Sequence, residues 1–398
     1  MINTDLVFFD AGSGHRAAAE ALRLAMEERG GWNVRLVNLQ EILDPVDLVR
    51  KLTGLRMQDL YNLMLRKGWT LGTPQTVRVL QFIIRLLHRQ TVRLLAGFWT
   101  SSRADLVVSV VPHFNRALAQ SLRQVRPATP FATILTDLAD YPPHFWIEPE
   151  GGSVICGSDR AVIQARALGL SNARILQASG MILHPRFYQP IACDRRAERK
   201  LRGLDPDLPT GLVLFGGQGS DAMLEIGERL DAEGPRHLQL IFICGRNQKL
   251  EAALRRHPRR MRSFVEGFTD QVPFYMHLSD FFIGKPGPGC VSEAVAMGLP
   301  VIVERNAWTL PQERYNADWV RGKQVGLVVR GPHQIPSAIR ELLRNGNLAR
   351  FRANAAAIRN RAVYEIPEML RRFVEGSPCG QIVQSEESPC EERSHVLP

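Results

Sequence analysis

GKPGPGCVSEAVAMGLP, residues 284–300, decides how this chain folds. It follows a largely apolar run, Leu278 to Ile283, with the length and character of a buried strand, and it leads into a helical pattern closed by Gly298. Gly287 and Gly289 let backbone come close to a ligand, and the helix behind them aims unpaired N–H groups and its positive dipole end at that place. A diphosphate suits such a site. Glu293, one turn into the helix, can accept hydrogen bonds from sugar hydroxyls.

Working outward, the same plan of apolar strand, glycine turn and helix occurs three times. Leu6 to Phe9 leads to Gly12-Ser13-Gly14-His15 and a helix over Arg16–Arg29. Leu212 to Phe215 leads to Gly216-Gly217-Gln218-Gly219 and a helix over Ser220–Leu230. Further strands are expected at Asn33–Val37, Asp105–Val110, Phe131–Leu135, Ser153–Ile155, Gln239–Ile243, Asp280–Ile283 and Val301–Val303, with helices between them. Strands alternating with helices make parallel sheets. The pattern therefore predicts an α/β protein of two Rossmann-like domains facing a cleft, residues 1–188 and 210–375. Between them lies a polar linker, 189–209, and a tail without hydrophobic periodicity, 376–398, is read as disordered. Gly245-Arg246, Glu266-Gly267-Phe268-Thr269 and Pro311-Gln312-Glu313 all fall at carboxyl ends of expected strands, where open α/β sheets bind ligands.

The 398 residues allow two cores of ordinary size, and no run of about 18 apolar residues exists to span a bilayer. The N-terminus has no basic region ahead of its apolar segment and so does not read as a signal peptide. Six scattered cysteines form no CxxC pair and no zinc spacing with histidine, which suits reduced thiols. The net charge of +10 calls for an anionic partner. Between Val49 and Arg93 stand Arg50, Lys51, Arg56, Arg66, Lys67, Arg78, Arg85, Arg89 and Arg93 against Asp59 alone. Large apolar residues are interleaved with them. From Val77 to Phe98 the pattern is helical, with Arg78, Arg85, Arg89 and Arg93 on one stripe. Such a helix suits an anionic membrane surface or a core edge. Nucleic acid suits it less, since the few aromatics make no stacking platform.

These motifs resemble glycosyltransferase family 28 from about Asp5 to Gly326, most closely its diacylglycerol branch of monogalactosyldiacylglycerol synthases and processive diacylglycerol glucosyltransferases. Gly14-His15-Arg16 matches its first glycine motif, and LTDLADYPPHFW, residues 135–146, is similar to its TDL motif and Pro/Trp loop. GGQG at 216–219 matches its second glycine loop, while 285–300 and Gln312-Glu313 resemble its nucleotide-sugar motif. Asp10-Ala11-Gly12 departs from an all-glycine run, and Tyr141-Pro142-Pro143 stands where the family often has His-Pro. The donor end therefore carries over more firmly than the acceptor end. The peptidoglycan N-acetylglucosaminyltransferase type ranks second.

The resemblance implies a GT-B fold and inverting transfer of a hexose from a UDP-sugar to diacylglycerol or a related lipid. His15 is a candidate base, titrating near neutrality, and Asp137 is its rival or orients the acceptor. Lys285 with the helix ends near Gly219 and Gly289 would neutralise the departing diphosphate, so no obligatory metal or other cofactor is expected. Glu293 would bind the ribose, and Gln312 and Glu313 the transferred sugar. Gly216, Gly217, Gly219, Phe268, Gly287 and Gly289 complete the donor site. Gly14, Pro143 and Trp146 belong to the acceptor end. Arg78, Arg85 and Arg89 would meet anionic lipids within a docking segment of about Leu48 to Trp99, with Trp69, Trp99 and Trp146 as interface anchors or core residues. The protein is then peripheral on the cytoplasmic membrane face. Rival readings are an NAD-dependent oxidoreductase, for which Gly12-Ser13-Gly14-His15-Arg16-Ala17 fits but Glu41 comes too late, and a nucleotide-binding sensor. Galactose, glucose and N-acetylglucosamine are not distinguished.

Overall fold

The computed structural model of the chain describes residues 1–10, 14–47, 50, 54, 56, 58–59 and 73–376. In the first domain, β1 (Ile2–Phe8), α1 (Gly14–Arg29) and β2 (Trp32–Asn38) are followed by α2 (Thr73–Leu86) and α3 (His88–Ser101). Then come β3 (Leu106–Ser109), α4 (Asn115–Val125), β4 (Phe131–Ile134), β5 (Ser153–Cys156), α5 (Asp159–Ala167) and β6 (Ile175–Gln177). All six strands are parallel, in the order β2-β1-β3-β4-β5-β6. The second domain contains β7 (Thr210–Leu214), α6 (Ala222–Glu233), β8 (Gln239–Ile243), α7 (Gln248–Arg256) and β9 (Ser263–Glu266). It continues through β10 (Phe281–Gly284), α8 (Pro288–Ala296), β11 (Val301–Glu304), α9 (Arg314–Gly322) and β12 (Gly326–Val329). Its order is β12-β11-β10-β7-β8-β9, again all parallel.

Both sheets are covered on both faces, so their inner strands read as unbroken apolar runs rather than alternations. Leu212, Leu214, Ile241 and Ile243 pack on one side of the second sheet, and Val213, Leu240, Phe242 and Ile283 on the other. The three strands absent from the sequence expectation, β6, β9 and β12, are all edge strands. Each is short and incompletely buried, and that leaves no apolar run to detect.

Two boundaries differ from the sequence division. Leu183, Phe187 and Leu204 already lie in the second domain's core, ahead of and within the expected linker. The final helix, α10 (Ala362–Val374), returns to the first domain, where Ile366, Met369 and Leu370 join the core under β1 and α1. The chain thus crosses between domains twice, at 179–182 and 358–361. Arg361 N donates to Ser179 Oγ at 2.7 Å, and Asn360 Nδ2 donates to the Met181 carbonyl at 2.9 Å. The helical pattern expected over Val77–Phe98 is two helices, broken at Leu87. Among the described residues no helix is long and apolar enough to cross a membrane. The tail and Trp69 lie outside the described residues.

Candidate active site

Each sheet reverses direction of strand addition once, between β1 and β3 in the first and between β7 and β10 in the second. Loops diverge there and leave a crevice at the strands' carboxyl ends. The candidate residues sit on these loops.

His15 stands in the first turn of α1, with Gly14 as the helix's first residue; Gly12 and Ser13 lie outside the described residues. Its Nδ1 is 3.1 Å from Thr136 Oγ1, and its ring lies 5.6 Å from that of Trp146. Burial lowers its pKa to about 4, against a raising backbone hydrogen bond to Val110. The imidazole is therefore neutral at neutral pH, and the expectation that it titrates there is corrected. The desolvation that a closed site imposes outweighs the one backbone bond.

Asp137 is buried beside it and accepts a hydrogen bond from Trp146 Nε1 at 2.8 Å. Burial pushes its carboxyl up to about 7. The Trp146 bond opposes that rise, Glu313 and Asp140 add to it, and Lys285 works against it. Two of those charges, Glu313 and Lys285, come from the second domain, so Asp137 faces them across the cleft. Trp146 is fully buried, as is Trp99, whose Nε1 donates to Ser121 Oγ; neither is an interface anchor. A residue missed in sequence, Asp140, shapes the loop. Its buried carboxylate accepts from the backbone N–H of Trp146 at 2.6 Å and of His144 at 3.1 Å, curling residues 140–147 and bringing the Trp146 indole back to Asp137. The signal available was LTDLADYPPHFW itself, whose second aspartate stands ahead of a Pro-Pro turn.

The raised pKa of Asp137 has a stability consequence. In the unfolded chain an aspartate titrates near 4. The folded protein holds its proton up to about pH 7, so the associated stability is complete below pH 4 and is lost as pH rises through 7. Asp137→Asn keeps the Trp146 bond and removes that loss. We expect it to raise Tm by about 5 °C at pH 8 and by less than half of that at pH 5. An equal gain over wild type at both pH values would contradict the argument.

The donor-end residues do gather. Gly216, at φ 80°, and Gly219, at φ 63°, form the turn after β7, and a Cβ at Gly219 would lie 2.7 Å from the Cys244 carbonyl. Gly217 accepts from Arg246 N–H at 2.9 Å, which locks this loop to the Gly245-Arg246 turn. Lys285 follows β10, its Nζ 3.3 Å from Glu313 Oε1. A Cβ at Gly216 would come 3.6 Å from Lys285 Cε, and one at Gly287 would come 3.4 Å from it. The ammonium is thus bracketed by both glycine loops. Gly287 has φ −65°, a conformation that does not itself call for glycine; a Cβ at Gly289 would meet nothing within 4 Å. Glu293 is enclosed by protein mass yet reached by solvent, and burial raises it to about 7. Gln312, in the turn Pro311–Glu313 just ahead of α9, offers a buried Oε1 without a hydrogen-bond partner in the structure. Phe268 is 61% exposed, with the Arg246 guanidinium 4.6 Å above its ring.

At the acceptor end Pro143 is exposed, and its carbonyl lies 3.5 Å from Gln81 Nε2 of α2. Arg85 and Arg89 are exposed; the Arg78 side chain lies outside the described residues. Val79, Phe82 and Leu86, exposed by 58%, 66% and 71%, form one apolar row on α2. Under that helix Arg85, His88, His113, Arg116, His144 and Glu148 border a cavity of about 320 Å³. His113, another residue missed in sequence, holds φ 68° there. Burial and the charge of His15 lower it to about 3. Among the described residues no three His, Cys, Asp or Glu side chains gather as metal ligands, and Cys156, Cys193, Cys244 and Cys290 are unpaired.

Two all-parallel α/β domains with glycine loops facing across a cleft define the GT-B architecture. Solved structures agree: the S. aureus MnaA–UDP co-structure matches over 96% of this chain and 100% of that one, at TM-score 0.61 and 15% identity. Acinetobacter baumannii MurG matches over 93% and 98%, at 0.59 and 12%. Within that class, residues 211–366 match the glycosyltransferase family 28 C-terminal domain, and the chain is a glycosyltransferase carrying this domain. It is 28% identical over 396 residues to the probable monogalactosyldiacylglycerol synthase 2, chloroplastic, of Oryza sativa subsp. japonica, covering 93% of this chain and 80% of that protein.

Proposed function

We propose that this glycosyltransferase moves a hexose from a UDP-sugar to the free hydroxyl of diacylglycerol, with inversion, at an anionic membrane surface. The observation that carries it is the placement of Asp137 and His15 on the first domain opposite Lys285 and Glu313 on the second. Asp137, at about 7, is half ionised at neutral pH and suits proton removal from the acceptor hydroxyl, while neutral His15 hydrogen-bonds and orients that hydroxyl. Lys285 and the N-terminus of α8 stabilise the departing UDP diphosphate. Glu293 accepts from the ribose hydroxyls, and Gln312 with Glu313 holds the sugar, the unpartnered Gln312 Oε1 taking a hydroxyl donor. The diacylglycerol acceptor rests on the likeness to the rice synthase. The UDP part rests on that likeness together with the fold shared with the MnaA–UDP structure.

Membrane contact is read from α2, whose exposed apolar row Val79, Phe82 and Leu86 is accompanied by exposed Arg85 on the same helix and Arg89 at the start of α3. Transfer of labelled sugar from UDP-galactose, UDP-glucose and UDP-N-acetylglucosamine to diacylglycerol in anionic liposomes tests the whole reading. We expect lipid-linked label from one donor, lost in Glu293→Ala. We also expect Phe82→Glu with Leu86→Glu to weaken liposome binding more than about tenfold while sparing transfer to detergent-dispersed lipid. No labelled lipid from any donor would sink the acceptor assignment.

A further inference from the structure

Tyr141 and Tyr315 have no role in the scheme above, yet they meet across the cleft. Tyr141 stands in the first domain's loop after β4, just beyond Asp137. Tyr315 stands in the first turn of α9, just beyond Glu313. Both are partly buried. Their ring centroids lie 6.3 Å apart with the planes at 42°, within the range where tilted aromatic pairs attract. Each ring also stands on a braced support. In the first domain, Arg160 Nη2 of α5 donates to Tyr141 Oη at 2.6 Å, and the guanidinium carbon lies 5.7 Å from the ring centroid. One turn along α5, Gln164 accepts from the Asp140 N–H and donates to the Asp140 carbonyl, each at 2.9 Å. In the second domain Asn316 is fully buried, and its Nδ2 donates to the Pro286 carbonyl at 2.7 Å. That bond fastens the first turn of α9 to the turn carrying Lys285. Arg314 Nε adds a bond to the Thr309 carbonyl at 3.2 Å.

We propose that Tyr141 and Tyr315 are a positioning pair, whose contact sets the separation between the acceptor-side base and the donor-side sugar contacts. The inference rests on the reading of Asp137 as the base and of Gln312 with Glu313 as the sugar contacts. Those groups sit on different domains, and the chain joins the domains only at the crossings near Ser179–Met181 and Asn360–Arg361. Transfer needs the acceptor oxygen held against the reacting carbon of the sugar, and small errors in that distance are costly in rate. The ring contact ties the loop that follows Asp137 to the helix turn that follows Glu313. Neither end yields easily: Arg160 and Gln164 hold the first, Asn316 and Arg314 the second. A shift of one domain against the other is therefore felt at this contact and not absorbed in its supports. Tyr141 also opens the Tyr-Pro-Pro stretch at which the chain departs from the motif it resembles, so the bridge is a feature of this chain.

The test is a double-mutant cycle on sugar transfer to detergent-dispersed diacylglycerol, with donor binding followed by calorimetry. Wild type, Tyr141→Ala, Tyr315→Ala and the double variant are compared, each with UDP-galactose, UDP-glucose and UDP-N-acetylglucosamine. Glu293→Ala serves as the control for the donor site. We expect each single variant to lower kcat about tenfold, with donor Kd and acceptor KM within about threefold of wild type. The double variant should fall no further than the singles, since either substitution alone breaks the contact. Tyr315→Phe keeps the ring and should return kcat to within about threefold of wild type. Losses that multiply to about a hundredfold in the double variant would show two separate roles and overturn the pairing. A raised donor Kd or acceptor KM at unchanged kcat would make the tyrosines substrate contacts, and overturns it as well. If Glu293→Ala loses transfer while both alanine variants keep the wild-type kcat, the inference falls and the functional reading stands. If wild type labels no lipid from any donor, the functional reading falls and this inference falls with it. Should an alanine variant fail to fold, Tyr141→Leu and Tyr315→Leu carry the same cycle.

Discussion

An Asp137→Asn enzyme is expected to transfer sugar about 10²–10⁴-fold more slowly than wild type, with unchanged affinity for the donor. The asparagine fits the same space and still accepts from Trp146 Nε1, so the loop held by Asp140 keeps its course. Only the ability to take a proton is lost. Wild-type rate should rise with pH along a limb centred near 7, as Asp137 ionises. Trp146→Phe supplies the sign. The indole N–H stabilises the carboxylate, so its removal raises the pKa and moves the limb to higher pH. If His15 were the base instead, its lowered pKa would put the limb near 4, and Asp137→Asn would cost little. A variant keeping more than a tenth of wild-type activity, with a limb near 4, would transfer the role to His15.

That contest could not be decided from sequence. GHR and TDL identify two groups capable of base chemistry, but their relative basicity depends on desolvation, and for His15 that depends on residues as far off as Thr136, 121 positions along the chain. His15 is closed over by Thr136 and Trp146, Asp137 by Trp146 and the opposite domain. The donor end was legible for a different reason. Gly216, Gly219 and Lys285 lie on single strand-turn-helix units, where local pattern dictates geometry. Inner strands were legible because burial on both faces makes them apolar throughout. The edge strands β6, β9 and β12 had no such signal. The return of α10 to the first domain was equally hidden. Its apolar face is an ordinary amphipathic stripe, and nothing in 362–374 states which core will receive it. Tryptophan burial ran the same way: an indole suits a membrane interface or a core alike, and only Ser121 and Asp137, as partners for the N–H of Trp99 and Trp146, decide for the core.

Lys285→Gln should lower kcat by about 10²–10³-fold, or about 3–4 kcal/mol, while raising donor KM only a few-fold. The asymmetry follows from when charge develops. On the donor reading proposed above, the diphosphate of a bound UDP-sugar would already contact the backbone N–H groups of two glycine loops, so the ammonium would be one contact among several. As the glycosidic bond breaks, another negative charge appears on the diphosphate, and a fixed cation bracketed by Gly216 and Gly287 meets it without reorganisation. Lys285 has a structural partner too, since Glu313 is buried and would be left with an unpaired carboxylate. The double variant Lys285→Gln with Glu313→Gln separates the two roles. It should recover the Tm lost in the single variant and recover none of the kcat, because removing a stranded charge repairs the fold but supplies no cation to the leaving group. A double variant that regained both would show that Lys285 serves the fold alone, and the stabilisation of the diphosphate would then fall to the α8 N-terminus and its glycines.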